Sequence, residues 1–164
     1  MSVVIRHATV ADLPGILALY NHEIRTGVAT FDVDEKDLAE RALWLADHDA
    51  RHPVLVADVD GLLCGWASLN RYSDRAAYAR TVENSVYVAA EHQGRGHGTR
   101  LLAALLNQAR TIGHHVILAR ITNGNAASVA LHRHYGFTPV GMLREVGWKF
   151  DSWHDVLLMQ ATLP

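Results

Sequence analysis

Cysteine is nearly missing from this sequence, with one residue, Cys64, among 164. A lone cysteine forms no internal disulfide, and neither Cys-x-x-Cys nor His-Glu-x-x-His occurs. A structural zinc site and an oxidising compartment are therefore not expected. Long apolar runs are missing too. No stretch approaches the roughly eighteen apolar residues of a membrane span, and the start MSVVIRHATVADLPG lacks the charged beginning and apolar run of a signal peptide. The expectation is a soluble, cytoplasmic protein with no membrane partner. An excess of positive charge is also absent: the formal charge is -2 and the pI about 6.6. That argues against a nucleic-acid partner and leaves local arginine clusters for small ligands. Repeats, low-complexity tracts and linkers are lacking, so residues 1–164 are expected to form one domain. With 49% hydrophobic and 20% charged residues, the chain can build a core.

What is present reads as a mixed α/β pattern. Val3 to Ile5 predicts a strand. Thr9 with Asp12 three residues later predicts a cap for a helix bearing Leu13, Ile16, Leu17, Tyr20 and Ile24 on one face. A second helix is predicted over residues 34–46. PVLVAD (53–58) and LLCGWASLN (62–70) flank Asp60-Gly61, the preferred centre of a tight hairpin. TVENSVYVAA (81–90) alternates, with Val82, Val86 and Val88 on one face and Thr81, Glu83, Ser85 and Tyr87 on the other. A leucine stripe predicts a helix over 98–112, HVILARI (115–121) a strand, and residues 125–135 a helix stopped by Gly136. Strands near 137–143 and 155–160 complete the sheet.

The stretch HQGRGHGTRLL (92–102) places Gly94, Gly96 and Gly98 between a strand and a helix. Free backbone N–H groups and the positive end of the helix dipole make such a junction an anion site, and phosphate is its natural guest. The spacing is neither the dinucleotide pattern Gly-x-Gly-x-x-Gly nor a triphosphate loop, which would need Gly-Lys-Ser/Thr. A plain glycine turn before a core helix is the alternative.

Gln93-Gly94-Arg95-Gly96-His97-Gly98, after SVYV and before TRLLAALL, resembles the acyl-CoA pyrophosphate loop of the Gcn5-related N-acetyltransferase (GNAT) superfamily. The resemblance implies a GNAT fold: a mixed, mostly antiparallel central sheet flanked by about four helices. It implies acetyl-CoA as co-substrate, with Val86 and Val88 toward the pantetheine and Gly94, Gly96, Gly98 and Thr99 on the phosphates. Gln93 and His97 belong to the same loop. Arg95 and Arg100 add charge there, although Arg100 equally suits a solvated helix face. NAASVALHRHYGF (125–137) is similar to the superfamily pattern Asn-x-x-Ala-x-x-x-Tyr ending in Gly-Phe. Asn125 would then contact pantetheine, with Ser128 on the same helix face, and His132 takes the position where a Tyr protonates the departing thiolate. A plain N-cap for Asn125 and an exposed helix histidine for His132 are the structural alternatives.

Amide formation needs a group to take the amine proton, donors for a developing oxyanion and a proton for the leaving thiolate. Glu83, mid-strand on the polar face, is the candidate base, acting directly, through water or as an ammonium-binding group; an ion pair with a nearby arginine is its structural alternative. Cys64, among apolar residues, reads as a buried small side chain rather than an acyl carrier. His114-His115 and His132 with His134 lack the rest of a ligand set, so no metal is expected.

A narrower resemblance, to the phosphinothricin and methionine sulfoximine N-acetyltransferases and related amino-acid N-acyltransferases, covers nearly the whole chain. It is carried by Tyr20-Asn21, ATF (29–31), Trp44, PVLVA (53–57), RAAY (75–78), TVENSVYV (81–88), Leu131-His132, GWKF (147–150), Trp153 and Asp155. It implies direct acetyl transfer to the α-amino group of a small amino acid analogue, and a homodimer with each active site near the interface. Such a substrate calls for cationic and aromatic walls. Phe31, Arg71, Arg75, Tyr78, Tyr87 and Lys149 are the candidates, with Arg75 first for the substrate carboxylate. Acylation of ordinary amino acids, polyamines or protein N-termini is the alternative within the enzyme class. A non-catalytic acyl-CoA sensor is the alternative outside it.

Overall fold

A computed structural model describes residues 2–164. Seven strands form one sheet in the order β1-β2-β3-β4-β5-β7-β6. Along the chain they are β1 (Val3–His7), β2 (Val54–Val59), β3 (Leu62–Arg71), β4 (Thr81–Val88), β5 (Val116–Thr122), β6 (Thr138–Lys149) and β7 (Ser152–Thr162). The helices are α1 (Leu13–Thr26), α2 (Leu38–Asp47), α3 (His97–Ile112) and α4 (Ala126–His134). Every strand pair is antiparallel except β4 with β5. The expected mixed, mostly antiparallel sheet with four helices is what the chain forms. No helix among the described residues is long and apolar enough to cross a membrane.

The two sheet faces bury different clusters. On one face Leu101, Leu102, Leu105, Leu106 and Ala109 of α3 pack with Leu55, Ala57, Ala67, Leu69, Val82 and Ile117. Fully burying one such leucine is worth about 1.5–3 kcal/mol, so this stripe anchors α3 firmly. On the other face Ile16 packs with Val54, Val56 and Trp66. β2 thus feeds both clusters from alternate residues, which is why its sequence is a continuous apolar run rather than an alternation.

Element boundaries differ from the sequence expectation where local capping decides. Thr9 and Asp12 do form a capping box, but around a short 3-10 turn, Val10–Asp12, that leads into α1. α2 starts later than predicted, because the reciprocal bonds of Asp37 and Glu40 cap it at Leu38. The largest departure is the β6–β7 hairpin, which runs through residues 144–154 to a turn at Phe150 and Asp151, with φ of 52° and 53°. Asn-Gly or Asp-Gly usually marks such a turn. Here both left-handed positions carry other residues, so the usual signal is missing.

The feature that makes room for a ligand is a split in the sheet. β4 and β5 pair in parallel only from Thr81 with Val116 to Glu83 with Leu118. Beyond Glu83 the two strands diverge, and the β5-facing edge of β4 is left without a strand partner.

Candidate active site

A cavity of about 1250 Å³ opens along this split, and it reaches both faces of β4. Glu83, Ser85 and Tyr87 line it from one face, Asn84, Val86 and Val88 from the other. Gln93, Gly94, Gly96, His97, Gly98 and Thr99 continue the wall at one end; Asn125, Ser128 and His132 of α4 close its flank; Phe31 stands at the far end.

The glycine loop has the backbone that an anion site requires. Gly94 and Gly96 have φ of 72° and 81°, and an added Cβ at either would meet nothing within 4 Å. The left-handed conformation, rather than lack of space, is therefore what calls for glycine there. The first intrahelical bond of α3 runs from Arg100 N–H to the Gly96 carbonyl, so the amides of residues 97–99 have no intrahelical acceptor. Gly98 differs, since its Cβ would make only ordinary 3.7 Å contacts with Leu131 and Val88. Gln93 donates through Nε2 to the Val88 carbonyl at 3.1 Å, tying the loop back to β4. A bare loop of this shape, a helix N-terminus and a strand edge without a partner together fit a pyrophosphate and its extended arm.

Glu83 sits at the point of the split. Its Oε2 lies 3.2 Å from Arg120 Nε on β5. Burial pushes the Glu83 carboxyl above its ordinary value of 4.5, and the Arg120 charge opposes that rise. A carboxyl so placed takes up a proton more readily than an exposed one.

His132 is buried, at 4% exposure, against the ring of Phe137. Its Nδ1 lies 2.7 Å from the Ser128 carbonyl and its Nε2 lies 3.1 Å from Asn84 Oδ1. Asn84 donates through Nδ2 to the Leu118 carbonyl, which orients its oxygen toward the imidazole. The Ser128 hydroxyl lies 3.4 Å from His132 Nδ1, and the Ser128 carbonyl and Asn84 Oδ1 are acceptors. A neutral imidazole has one N–H and serves one of them, whereas the imidazolium serves both. Burial, the larger effect, pulls the His132 pKa below its ordinary value, and the Ser128 carbonyl pushes it back up. Asn125 caps α4 by accepting from Ser128 N–H at 3.0 Å. The cap uses only Oδ1, so the amide nitrogen is the atom left for a ligand.

Six residues named from the sequence do not reach the cavity wall: Arg71, Arg75, Tyr78, Arg95, Arg100 and Lys149. Arg71 lies near Asp74 and Asp49, at 3.5 and 3.9 Å. Arg75 and Tyr78 belong to the connection before β4, whereas the cavity runs along the second half of that strand. The Lys149 ammonium is buried and donates to the Thr30 carbonyl at 2.9 Å, which makes it a tie between the hairpin and the segment before Phe31. Tyr87 lines the cavity and stacks on Trp66, with 4.7 Å between ring centroids.

Asn84 and Arg120 were missed from the sequence. An asparagine between Val82 and Val86 on an apolar strand face was a usable signal, since a buried amide needs a partner. Arg120 carried none, because only the parallel register of β4 with β5 brings it to Glu83.

Residues 16–137 match the model of the acetyltransferase (GNAT) family. The chain belongs to the GNAT family. It is an N-acetyltransferase. Curated relatives align over almost its entire length. An L-methionine sulfoximine/L-methionine sulfone acetyltransferase of Pseudomonas paraeruginosa is 45% identical, over 99% of this chain and 96% of that protein. A phosphinothricin N-acetyltransferase of Alcaligenes faecalis is 42% identical, over 93% and 78%. Among solved structures, a GNAT superfamily phosphinothricin acetyltransferase from Sinorhizobium meliloti, in complex with acetyl-CoA, superposes with a TM-score of 0.95. It is 33% identical, over 99% of this chain and 89% of that one.

Proposed function

We propose that this acetyltransferase transfers the acetyl group of acetyl-CoA to the α-amino group of a small amino acid analogue of the phosphinothricin, methionine sulfoximine or methionine sulfone type. The observation that carries the proposal is the Glu83 carboxylate at the split of β4 and β5, where one cavity joins the two faces of the strand. The glycine loop and the residue 97–99 amides take the pyrophosphate, while the free edge of β4, with Val86 and Val88, and Asn125 take the arm. The amine approaches past Phe31 and Tyr87.

In the reaction the amine nitrogen bonds to the acetyl carbon and the carbon–sulfur bond breaks. Glu83, directly or through one water, receives the amine proton. His132 returns a proton to the departing thiolate, Nε2 exchanging Asn84 Oδ1 for sulfur. The Ser128 carbonyl offsets part of the burial that pulls the His132 pKa down, and the two acceptors on one buried ring hold its N–H in a fixed direction, which suits a ring that gives up a proton.

A second copy of the chain is the proposed partner. β6 is an edge strand, and Val140, Val146 and Trp148 on it, with Phe150 and Trp153 beside it, are each more than half exposed. A long apolar edge of this kind calls for cover. Arg75 is assigned to the substrate carboxylate across that interface. Light scattering is expected to return the mass of a dimer, and a monomer would remove this part of the proposal. The single buried cysteine suits work in a reducing cytoplasm.

The deciding experiment follows free thiol released from acetyl-CoA with phosphinothricin, methionine sulfoximine, methionine sulfone, ordinary amino acids and polyamines. Fastest release is expected with the first three. Faster release with an ordinary amino acid or a polyamine would reassign the substrate, and release with none would favour an acyl-CoA sensor.

A further inference from the structure

Cys64 stands 28 positions before His92 and 33 before His97 in the sequence. The fold nevertheless brings Cys64, His92 and His97 together, with one ligand atom of each within 4.8 Å of the others. Cys64 is fully buried on β3. There Ala57 pairs with Gly65 and Asp58 with Leu63, which leaves Cys64 as the extra residue of a β-bulge. A bulge re-aims the side chain it carries. His92 ends the 3-10 turn Ala90–His92 after β4, and His97 opens α3. Their rings meet edge-on, with centroids 6.0 Å apart.

His97 supplies the second, independent observation. It is nine-tenths buried, and its Nδ1 is sealed from solvent with no hydrogen-bond partner among the described residues. Buried polar atoms without a partner are rare enough to require an explanation, and an absent ion is one of the standard ones. Cys64 Sγ makes only a weak 3.4 Å contact with the Leu62 carbonyl. One sulfur and two imidazoles are borderline-soft donors, suited to Zn²⁺ and unsuited to Mg²⁺ or Ca²⁺. Zn–S of about 2.3 Å and Zn–N of about 2.0–2.1 Å in a tetrahedron place ligand atoms roughly 3.3–3.7 Å apart. The trio therefore needs to contract by at most about 1.1–1.5 Å, leaving a fourth position for water.

We propose that Cys64, His92 and His97 bind one Zn²⁺ ion, which clamps both ends of the loop at residues 93–96 to β3. That this loop holds the acetyl-CoA pyrophosphate rests on the function proposed above; the metal site itself does not. On binding, the Cys64 thiol gives up its proton to solvent and the thiolate, with two neutral imidazoles, ligates the ion without any redox change.

The test titrates the reduced, metal-free full chain with Co²⁺ in the absence of air. A near-ultraviolet thiolate-to-cobalt charge-transfer band is expected, saturating at one Co²⁺ per chain and bleached by Zn²⁺. Cys64 is the only cysteine in the sequence, so this band reports one site despite eleven histidines. Cys64→Ser should abolish the band. His92→Asn should weaken Co²⁺ binding by at least about tenfold, since loss of outer-shell support alone costs 10–100-fold. If Cys64→Ser fails to fold, the His92→Asn titration decides. Amide exchange at residues 93–98 should slow on adding Zn²⁺ to the wild type. No charge-transfer band, a band surviving in Cys64→Ser, or wild-type affinity in His92→Asn would overturn the site; unchanged exchange would overturn the clamp. None of these readouts involves acetyl transfer, so failure here and failure of the proposed enzyme activity remain distinguishable.

Discussion

The two ends of the cavity are built by different means. At the end proposed for the cofactor, the loop at residues 93–96 and the start of α3 present backbone: two left-handed glycines and a row of helix N-terminal amides. At the end proposed for the amine, side chains from distant segments do the shaping. Lys149 holds the Thr30 carbonyl across 119 residues of sequence, and Phe31 lies so close to Gly147 that a Cβ there would fall 2.3 Å from the ring. A backbone site needs only the right local conformation and so repeats across proteins as a motif. A side-chain site needs the whole fold, and its selectivity can change with a few contacts.

Glu83→Gln, at the meeting of the two ends, should have the largest effect. Turnover is expected to fall by at least about 100-fold, the lower range for loss of a general base, while acetyl-CoA affinity by calorimetry stays within about twofold. The Glu83 pKa is raised above 4.5, so wild-type activity should fall as pH drops through a value above 4.5, and the variant should lose that acid limb. A raised carboxyl pKa also means that ionisation costs stability as pH rises. The variant should therefore melt no lower than wild type at pH 7. A clear drop in Tm would mean that the Arg120 pair serves the fold.

His132→Ala should come next, with turnover lowered by roughly 100-fold, the bottom of the usual range for acid–base groups. Normal turnover in a folded variant would return His132 to the role of a packed core histidine. Gly96→Ala tests the cofactor end alone. A side chain at φ of 81° costs about 1–2 kcal/mol, so acetyl-CoA affinity should weaken by about tenfold with the amine KM unchanged. Gly147→Ala tests the amine end alone. Displacing Phe31 should raise the amine KM several-fold, about 1 kcal/mol by the affinity relation, and leave acetyl-CoA binding intact. If either glycine variant shifts both constants equally, the two ends are not independent. Gly98→Ala should do least: with only 3.7 Å contacts, its unfolding free energy from denaturant titration should stay within roughly 0.5 kcal/mol of wild type, the range of harmless substitutions.

The legibility of the site followed the same division. Gly94, Gly96, Asn125 and Ser128 could be placed from sequence because loop, cap and helix face are local geometries. Glu83 was also visible, as a carboxylate on the polar face of an alternating strand. The cationic candidates were harder: Arg71 and Lys149 were chosen for their charge and Arg75 for its place in the loop just before the Glu83 strand, and their positions depend on which strands neighbour one another. Lys149 turned inward to Thr30, while the cation beside Glu83 proved to be Arg120. The long β6–β7 hairpin was half hidden because Phe150 and Asp151 make a turn that their residue types do not advertise.

By itself, the sequence determined the alternation of strands and helices, the hairpin at Asp60-Gly61 and the glycine turn before α3. Each depends on residues within a few positions of one another, where periodicity and backbone preference act directly. Only the tertiary structure decided where β4 and β5 part, that Arg120 faces Glu83, that Asn84 bonds His132, and that Cys64 meets His92 and His97. Those contacts depend on sheet order, strand register and a single bulge, which are set by packing both faces of the sheet at once.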